Sequence, residues 1–412
     1  MNLFSLVWNY LKARPLNTAI NIVLLSLGIA VITILLLFNT QLEKKITENA
    51  RGIDLVVGAK GSPLQLILCN IFHMDFPTGN IKLVEAERIS RNRLVKKAIP
   101  LALGDSYQTY RIVGTSREYA DLYKVELSQG EWWSNVFDVT MGANVAELSG
   151  LKIGDKFASA HGLVSGGHLH DDHQYVVKGI LKKSNTVLDN LILCNIESVW
   201  QMHTEEEEQH HKLDSSFMPS RLVPSVAVSD STKEITSMLI QYRSPMGAIQ
   251  LPRFVNSQSS LQAASPAFET ARLFSILGVG VEILMAFAYV LIVISGLSIF
   301  IALYNSLKER RYDMAIMRSM GAKRSKLFIS ILLEGGVLTL LGSVIGLLMG
   351  HSVLILLSVM VEETQKAGIS GFVFYPQEWV ILGGSLALGL LCAILPAIQA
   401  YRVDISKILS GN

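Results

Sequence analysis

The chain has 412 residues, half of them hydrophobic and only 17% charged, with a mean hydropathy of +0.38. Soluble proteins carry about 25% charged residues, so this deficit indicates membrane spans. The formal net charge is +2, and basic residues form no broad patch outside the membrane flanks, which argues against a nucleic-acid partner.

The first apolar run, LNTAINIVLLSLGIAVITILLLF, carries no charge and exceeds the ~20 residues that a helix needs to cross the hydrocarbon core. It is too long for the apolar region of a signal peptide, about 7–15 residues, and it lacks a small-residue cleavage site. Three similar runs follow near the C-terminus. We therefore predict an α-helical membrane protein with four transmembrane helices, at residues 16–38, 273–304, 327–360 and 379–399.

The sides of the intervening segments follow from the positions of Lys and Arg, which concentrate in short cytoplasmic flanks. Lys12 and Arg14 precede the first span, seven basic residues lie between the second and third spans, and acidic residues dominate between the third and fourth. We predict a bacterial inner-membrane protein with its large domain in the periplasm. Its other segments are a cytoplasmic N-terminus (1–15), the extracytoplasmic domain (39–272), a cytoplasmic loop (305–326), an external loop (361–378) and a cytoplasmic tail (400–412).

The first and second spans are expected to continue as helical stalks, because QLEKKITENA and PAFETARLFSILGVGVE carry helical patterns beyond the hydrophobic core. Glu282 is then expected near the outer interface and not in the middle of the bilayer. After the first stalk, RGIDLVVGAKGS resembles a phosphate-binding loop, but five residues separate Gly52 from Gly58 and Ala59 precedes Lys60. We predict a strand at IDLVV, then a turn that starts the next helix.

The extracytoplasmic domain is predicted to have an α+β fold inserted between helices 1 and 2. TYRIVGTS, QYVVKGIL and NLILCNI are typical of short strands, whereas KLVEAERISRNRLVKK and STKEITSMLIQY have helical patterns. Cys69, Cys194 and Cys392 form no C-x-x-C pair, which excludes a cysteine-rich disulfide scaffold. Cys69 and Cys194 could form a disulfide outside the membrane or remain two buried free thiols, and we favour the free thiols.

Seven of the nine histidines lie between positions 161 and 211. The first group is accompanied by Asp171 and Asp172, and imidazole with carboxylate suits Zn, Cu or Ni. A solvated polar loop that binds nothing is the alternative. The candidate metal ligands, for zinc in particular, are His161, His168, His170 and His173, and a site there would make the chain a metal-linked transporter or sensor with this loop as its external receptor.

The cytoplasmic loop contains DMAIMRSM, which predicts a short amphipathic helix with Met314 and Met317 on its apolar side, ended by Gly321. Such a helix could be an interfacial anchor or a lever moved by a cytoplasmic partner. In the third span, small residues at Gly342, Gly346 and Gly350 lie on one helix face, where another helix can approach closely.

Residues 310–350, RRYDMAIMRSMGAKRSKLFISILLEGGVLTLLGSVIGLLMG, resemble the hallmark segment of the FtsX-like, MacB-type ABC transporter permeases. The N-terminal stretch 9–31 and the C-terminal stretch PAIQAYRVDISKIL are similar to the family's ends, although Ile405 stands where Pro is usual. The matching hallmark residues are Arg311, Asp313, Ala315, Arg318, Gly321, Ala322, Glu334, Gly342 and Gly346.

The resemblance implies a homodimer of this subunit with two copies of a separate cytoplasmic ATP-binding subunit, which holds ATP and Mg. It implies no cofactor in this chain and no enzyme activity of its own, and no G-x-S-x-G or H-E-x-x-H motif contradicts this. ATP-driven movement would reach the external domain, which would act on a lipoprotein, peptide or small molecule, with a periplasmic or lipoprotein partner in some members. Residues 308–326 would form the coupling helix, with Arg311, Asp313, Ala315, Met317, Arg318, Gly321 and Lys323 as ATPase-coupling residues.

Overall fold

The computed structural model describes residues 3–161, 169–202, 233–361 and 368–402. The chain forms two compact units. The helical unit comprises the residues up to Leu42 and from Leu277 onward, and the outer domain runs from Glu43 to Ile276.

The elements are numbered in chain order. The first are α1 (Leu3–Ala13), α2 (Pro15–Asn49), β1 (Leu55–Ala59), α3 (Pro63–Asn70), β2 (Ile81–Lys82), α4 (Leu83–Ser90), β3 (Val95–Tyr107), β4 (Tyr110–Thr115), α5 (Arg117–Leu122), β5 (Leu127–Gly130), β6 (Asp138–Met141) and α6 (Ala143–Ser149). The next are β7 (Lys156–His161), β8 (Leu169–Leu181), a 3₁₀ turn (Val187–Asn190), β9 (Leu191–Asn195), α7 (196–202), β10 (Glu234–Ile235), β11 (Ser237–Tyr242), α8 (Met246–Gln258) and β12 (Leu261–Ala264). The last are α9 (Pro266–Glu309), α10 (Arg311–Ser319), α11 (Arg324–Met360) and α12 (Gln377–Tyr401).

Four of these helices, α2, α9, α11 and α12, are long and apolar enough to cross a membrane. The predicted four-span architecture with a large α+β domain between the first and second spans is confirmed. All four exceed the ~20 residues that a bilayer requires, and α2 with 35 residues and α9 with 44 are two of the longest. The segments predicted to be stalks form the ends of these two helices that adjoin the outer domain.

The N-terminal segment has a structure of its own. Helix α1 buries Val7 and Leu11 against Leu338 of α11, and it leaves Phe4 and Trp8 exposed. The helix thus has one apolar side packed on the unit and a second apolar side that is exposed. Arg14 separates α1 from α2, which begins at Pro15, a residue well suited to a first helical turn.

The outer domain is organised by one ten-stranded mixed sheet, in the order β12-β1-β11-β3-β4-β9-β6-β8-β5, with β7 pairing to β3 and β8. Most pairs are antiparallel, and the β4–β9 and β6–β8 pairs are parallel. Apolar cores lie on both faces of the sheet. Successive residues of β1 alternate between them, since Leu55 and Val57 belong to one core and Val56 to the other.

The stretch RGIDLVVGAKGS folds as predicted, into strand β1 and the turn that precedes α3. Ser62 is the N-cap of α3, and its hydroxyl accepts a hydrogen bond from the Gln65 amide N–H at 3.4 Å. The strands predicted at TYRIVGTS, QYVVKGIL and NLILCNI are confirmed as β4, β8 and β9.

The prediction of a helix at STKEITSMLIQY is wrong, because the described part of this segment forms the strands β10 and β11. Strand β11 lies between β1 and β3 and is covered on both faces. Met238 and Ile240 enter one core and Leu239 enters the other. A strand buried on both sides has consecutive apolar residues, which hides its period of two. The prediction of a helix at KLVEAERISRNRLVKK is correct only over α4, because β3 already begins at Val95.

The two outer-domain cysteines are free thiols, as favoured from the sequence. Cys69 belongs to the core on one face of the sheet and Cys194 to the core on the other, so the sheet separates them. Burial raises the pKa of both thiols. They are therefore protonated at neutral pH, when a thiol is a poor nucleophile.

The glycines of α11 lie against α2 in the helical unit. A Cβ built at Gly346 would lie 2.7 Å from the Ser26 carbonyl oxygen, and one at Gly342 would lie 2.9 Å from the Leu25 side chain. At Gly350 the nearest atom would be Cβ of Thr33, also at 2.7 Å. The absence of a side chain at these positions lets the two backbones approach closely.

We expect Gly346→Ala to lower the thermal midpoint of the purified protein in detergent, because the added methyl group would displace α2 at a cost of about 1–3 kcal/mol. Gly383→Ala in α12 is the matched control, since a Cβ there would meet nothing within 4 Å. A midpoint of Gly346→Ala equal to that of the control would show that the contact with α2 is not tight.

Candidate functional site

Helix α10 begins one residue after α9 ends, at the predicted cytoplasmic end of the helical unit. Met314 is its main buried apolar side chain, and Met317 packs partly on the same cluster. The cluster joins α10 to the ends of three long helices, and its other buried members are Leu307, Leu327, Ile331, Ala397 and Ala400. Movement of α10 must therefore move these helix ends or break their packing.

The seven predicted coupling residues do not share one surface. Ala315 is fully buried, and Met317 and Arg318 are half-buried. The exposed members of the set are Arg311, Asp313, Gly321 and Lys323. The outward side of α10 also carries Tyr312 and Met320, which are 58% and 76% exposed. Tyr312 was missed from the sequence, because the apolar pattern alone marks the packed side of the helix.

Gly321 follows the end of α10 with a φ of +98°, in the left-handed region that favours glycine. Its N–H donates to the Arg318 carbonyl oxygen, and the Ala322 N–H donates to that of Met317, both at 3.0 Å. These bonds satisfy carbonyl groups that the helix end would otherwise leave free. The backbone conformation of Gly321 and these two hydrogen bonds thus explain why the helix ends at the predicted place.

A buried ion pair lies directly beneath the start of α10. Arg310 Nη1 donates to Glu334 Oε2 at 3.3 Å, and the two side chains are only 12% and 8% exposed. The guanidinium also lies 3.6 Å from the centre of the Tyr10 ring. Sequence reasoning matched Glu334 to the family motif but did not find its partner, which is 24 positions away. Arg310, the residue between α9 and α10, thereby contacts both α11 and α1.

A second ion pair joins Arg14 to Glu309, the last residue of α9. Cations also lie over aromatic rings at this end of the unit, Lys308 over Tyr304 at 4.7 Å among them. Such basic and aromatic side chains are typical of the membrane–water interface. The surroundings of α10 therefore combine apolar packing with charges held in place by partners.

Of the candidate metal ligands, only the side chain of His173 lies within the described residues; His168 and the side chains of His161 and His170 lie outside them. The His173 ring stacks on Phe137, with ring centres 5.0 Å apart. The second histidine group, from His203 to His211, also lies outside. Among the residues that the structure describes, no three His, Cys, Asp or Glu side chains gather as a metal site. The zinc site stays a prediction.

Two different family models match the chain. Residues 18–238 match the MacB-like periplasmic core domain, and residues 285–405 match the C-terminal region of FtsX-like permeases. The first match covers more than half of the chain.

Two curated relatives are uncharacterized ABC transporter permeases. The one from Methanocaldococcus jannaschii is 23% identical over 288 residues, which cover 66% of this chain and 66% of the relative. The other, YknZ from Bacillus subtilis, is 27% identical over 125 residues, or 30% of this chain and 29% of the relative. The chain thus matches less than two thirds of the length of either relative.

Two solved structures are similar to the chain over part of its length. The periplasmic region of MacB from Actinobacillus actinomycetemcomitans is 12% identical with a TM-score of 0.32, and the match covers 56% of this chain and 97% of that one. The extracellular domain of the noncanonic ABC-type transporter YknZ from Gram-positive bacteria is 14% identical with a TM-score of 0.28, covering 52% and 99%.

We expect Arg310→Met to destabilise the protein by about 3–5 kcal/mol, because it leaves the Glu334 carboxylate buried without its partner. The double variant Arg310→Met/Glu334→Leu should recover most of this loss, since it removes both charges. Thermal midpoints in detergent measure the difference. Arg14→Gln serves as the control, since its partner Glu309 is 66% exposed and the effect should be small. A double variant no more stable than Arg310→Met would contradict the pairing.

For the predicted zinc site, we expect the full chain in detergent to bind Zn²⁺ in isothermal titration. The variant His168→Ala/His170→Ala/His173→Ala should lose this binding, because three of the four imidazole ligands are gone. The variant His210→Ala/His211→Ala, outside the predicted ligand set, should keep it. Equal Zn²⁺ affinity of the triple variant and the unchanged chain would rule out this ligand set.

Proposed function

Because the chain belongs to the family of ABC transporter permeases with a MacB-like periplasmic core domain and an FtsX-like C-terminal region, we propose that it transmits ATP-driven movement. The source of the movement is a separate cytoplasmic ATP-binding subunit, which holds ATP and Mg. The receiver is the outer domain, which acts on an extracytoplasmic substrate such as a lipoprotein, a peptide or a small molecule.

The observation that carries this proposal is the continuity of α9. This helix begins at Pro266, two residues after the last strand of the outer domain, and runs for 44 residues to Glu309 without a break. Helix α10 follows after a single residue. A helix satisfies its own backbone hydrogen bonds, so it is stiff enough to carry a displacement along its length.

The proposed docking surface for the ATP-binding subunit is the outward side of α10. Tyr312, Ile316 and Met320 recur every four residues on this side, the spacing by which an amphipathic helix enters an apolar groove. Arg311, Asp313 and Lys323 are exposed around it and suit a polar rim. The inner side of the same helix is packed on the cluster around Met314 and relays the movement.

We propose further that two copies of the chain assemble with two ATP-binding subunits. Paired ATP-binding subunits close on ATP, so a permease with one coupling helix per chain requires a second copy to use both. This stoichiometry is inferred from the family relationship. A periplasmic or lipoprotein partner is proposed on the same basis.

We expect Tyr312→Ala/Met320→Ala to weaken binding of the ATP-binding subunit at least about tenfold, because exposed aromatic and Met side chains carry much of the energy of an interface. Stimulation of ATP hydrolysis in proteoliposomes should fall with it. The measurements are the affinity of the purified subunits and the rate of phosphate release. Arg318→Glu should also lower both, whereas Met317→Arg would in addition disturb the packing of α10.

Leu340→Ala is the matched control, since Leu340 is an exposed apolar residue of α11 that lies away from α10. It should leave affinity and stimulation unchanged. Unaltered binding and stimulation in Tyr312→Ala/Met320→Ala would contradict the docking surface. Failure of the unchanged chain to stimulate any ATP-binding subunit would overturn the proposed function itself.

A further inference from the structure

The segment 369–376, ISGFVFYP, is the part of the external loop that leads into α12, and it contains no charged residue. Phe372 and Phe374 are 75% and 73% exposed. Trp379, near the start of α12, is 77% exposed. We call residues 369–376, together with Trp379, the aromatic loop. Bare aromatic side chains at this density mark a surface that contacts a membrane or another protein.

The aromatic loop is fastened to α11 by a buried histidine. His351 Nδ1 donates to the Gly371 carbonyl oxygen at 2.6 Å, and the ring stacks on Phe374 with centres 4.3 Å apart. His351 Nε2 and Glu378 Oε2 form a hydrogen bond of 2.9 Å. The other carboxylate oxygen, Oε1, accepts the Tyr375 N–H at 2.8 Å.

A second polar side chain fastens the same loop to α2. The Gln41 amide donates to the Ser370 carbonyl oxygen and accepts the Ser370 N–H, both at 2.9 Å. Side chains of α2, α11 and α12 thus bind backbone groups of the aromatic loop. In water, solvent can form hydrogen bonds with the backbone N–H and C=O groups of an irregular segment. In lipid, other parts of the protein must form these bonds.

Helix lengths give the depth of the loop in the membrane. At 1.5 Å per residue, His351 lies about 40 Å along α11 from Arg324. By the same rise, Gln41 lies about 39 Å from the start of α2. Hydrocarbon is about 30 Å thick and the bilayer with its headgroups about 40–45 Å. Both side chains therefore lie at the outer headgroup level, where membrane proteins concentrate aromatic residues.

The neighbouring helix ends favour lipid as the occupant of this surface. Met360 at the end of α11 and Val380 in α12 are each 74% exposed. They continue the bare apolar surface of the spans into the aromatic loop.

We propose that the aromatic loop is a membrane-binding element that inserts Phe372, Phe374 and Trp379 into the outer leaflet of the membrane. His351, Glu378 and Gln41 are its positioning residues, which hold the loop backbone while the aromatic side chains face lipid. This interaction is independent of the coupling function.

Spin labels in proteoliposomes of purified phospholipid test the proposal on the full chain. A label on Phe372→Cys or Phe374→Cys should collide more with lipid-soluble oxygen than with a water-soluble nickel chelate. A label on Leu148→Cys should show the reverse, because Leu148 is an exposed apolar residue of the outer domain. Of the native thiols, Cys69 and Cys194 are buried and should label little, whereas Cys392 is half-buried; the labelled unchanged chain gives the background from all three.

Three results would overturn the proposal. The first is nickel access at 372 and 374 equal to that at 148, which would place the loop in water. The second is shielding from both reagents with dipolar broadening between labels, which would identify a second copy as the occupant. The third is oxygen access that arises only after a lipopeptide is added, which would identify a lipid-anchored substrate.

The positioning role has its own measurement. Gln41→Leu keeps the side-chain volume but removes both hydrogen bonds to Ser370, so the label at 372 should lose part of its preference for oxygen. Leu340→Ala on the lipid-facing surface of α11 should leave that preference unchanged. An equal preference in the Gln41→Leu and unchanged chains would show that Gln41 does not position the loop.

Discussion

Hydrocarbon offers no hydrogen-bond partners, and several polar side chains of the helical unit are paired with one another within the protein. The hydroxyl of Ser298 in α9 donates to the Asn21 side chain in α2. Those of Ser343 and Ser385 bind each other across α11 and α12. Glu334, a charge inside the third span, is paired with Arg310. The first two pairs each join two helices, and the third joins α11 to the residue between α9 and α10.

The same requirement explains why the stalks can be continuous with the spans. A helix bonds its own backbone in lipid and in water alike, and only its side chains have to change at the interface. Along α2, the uncharged run that ends at Phe38 gives way to QLEKKITEN without a break in the helix. Helix α9 does the same in reverse, with its charged residues concentrated near its two ends. A single helix can therefore continue from lipid into water without a break.

Helix α10 is a two-sided element, and its two sides follow different rules. Its packed side, with Met314 and Ala315, follows the apolar periodicity that sequence reasoning detects. Its outward side contains Tyr312 and Met320, whose exposure is visible only when the helix lies on its neighbours. For this reason the coupling residues carried over from the family motif are a mixture of buried and exposed positions. The motif residues lie on all sides of the helix, and the fold buries some of them and exposes the others.

The amino-acid sequence by itself determined the four spans, their orientation and the strand-turn-helix at RGIDLVVGAKGS, because these depend on length, local charge and residues close in the chain. The tertiary structure alone decided that STKEITSMLIQY contains a central strand, since cores on both faces of the sheet remove the pattern of a half-buried strand. It alone brought together Arg310 with Glu334 and His351 with Glu378. Those partners are far apart in sequence, and nothing local to either residue specifies the other.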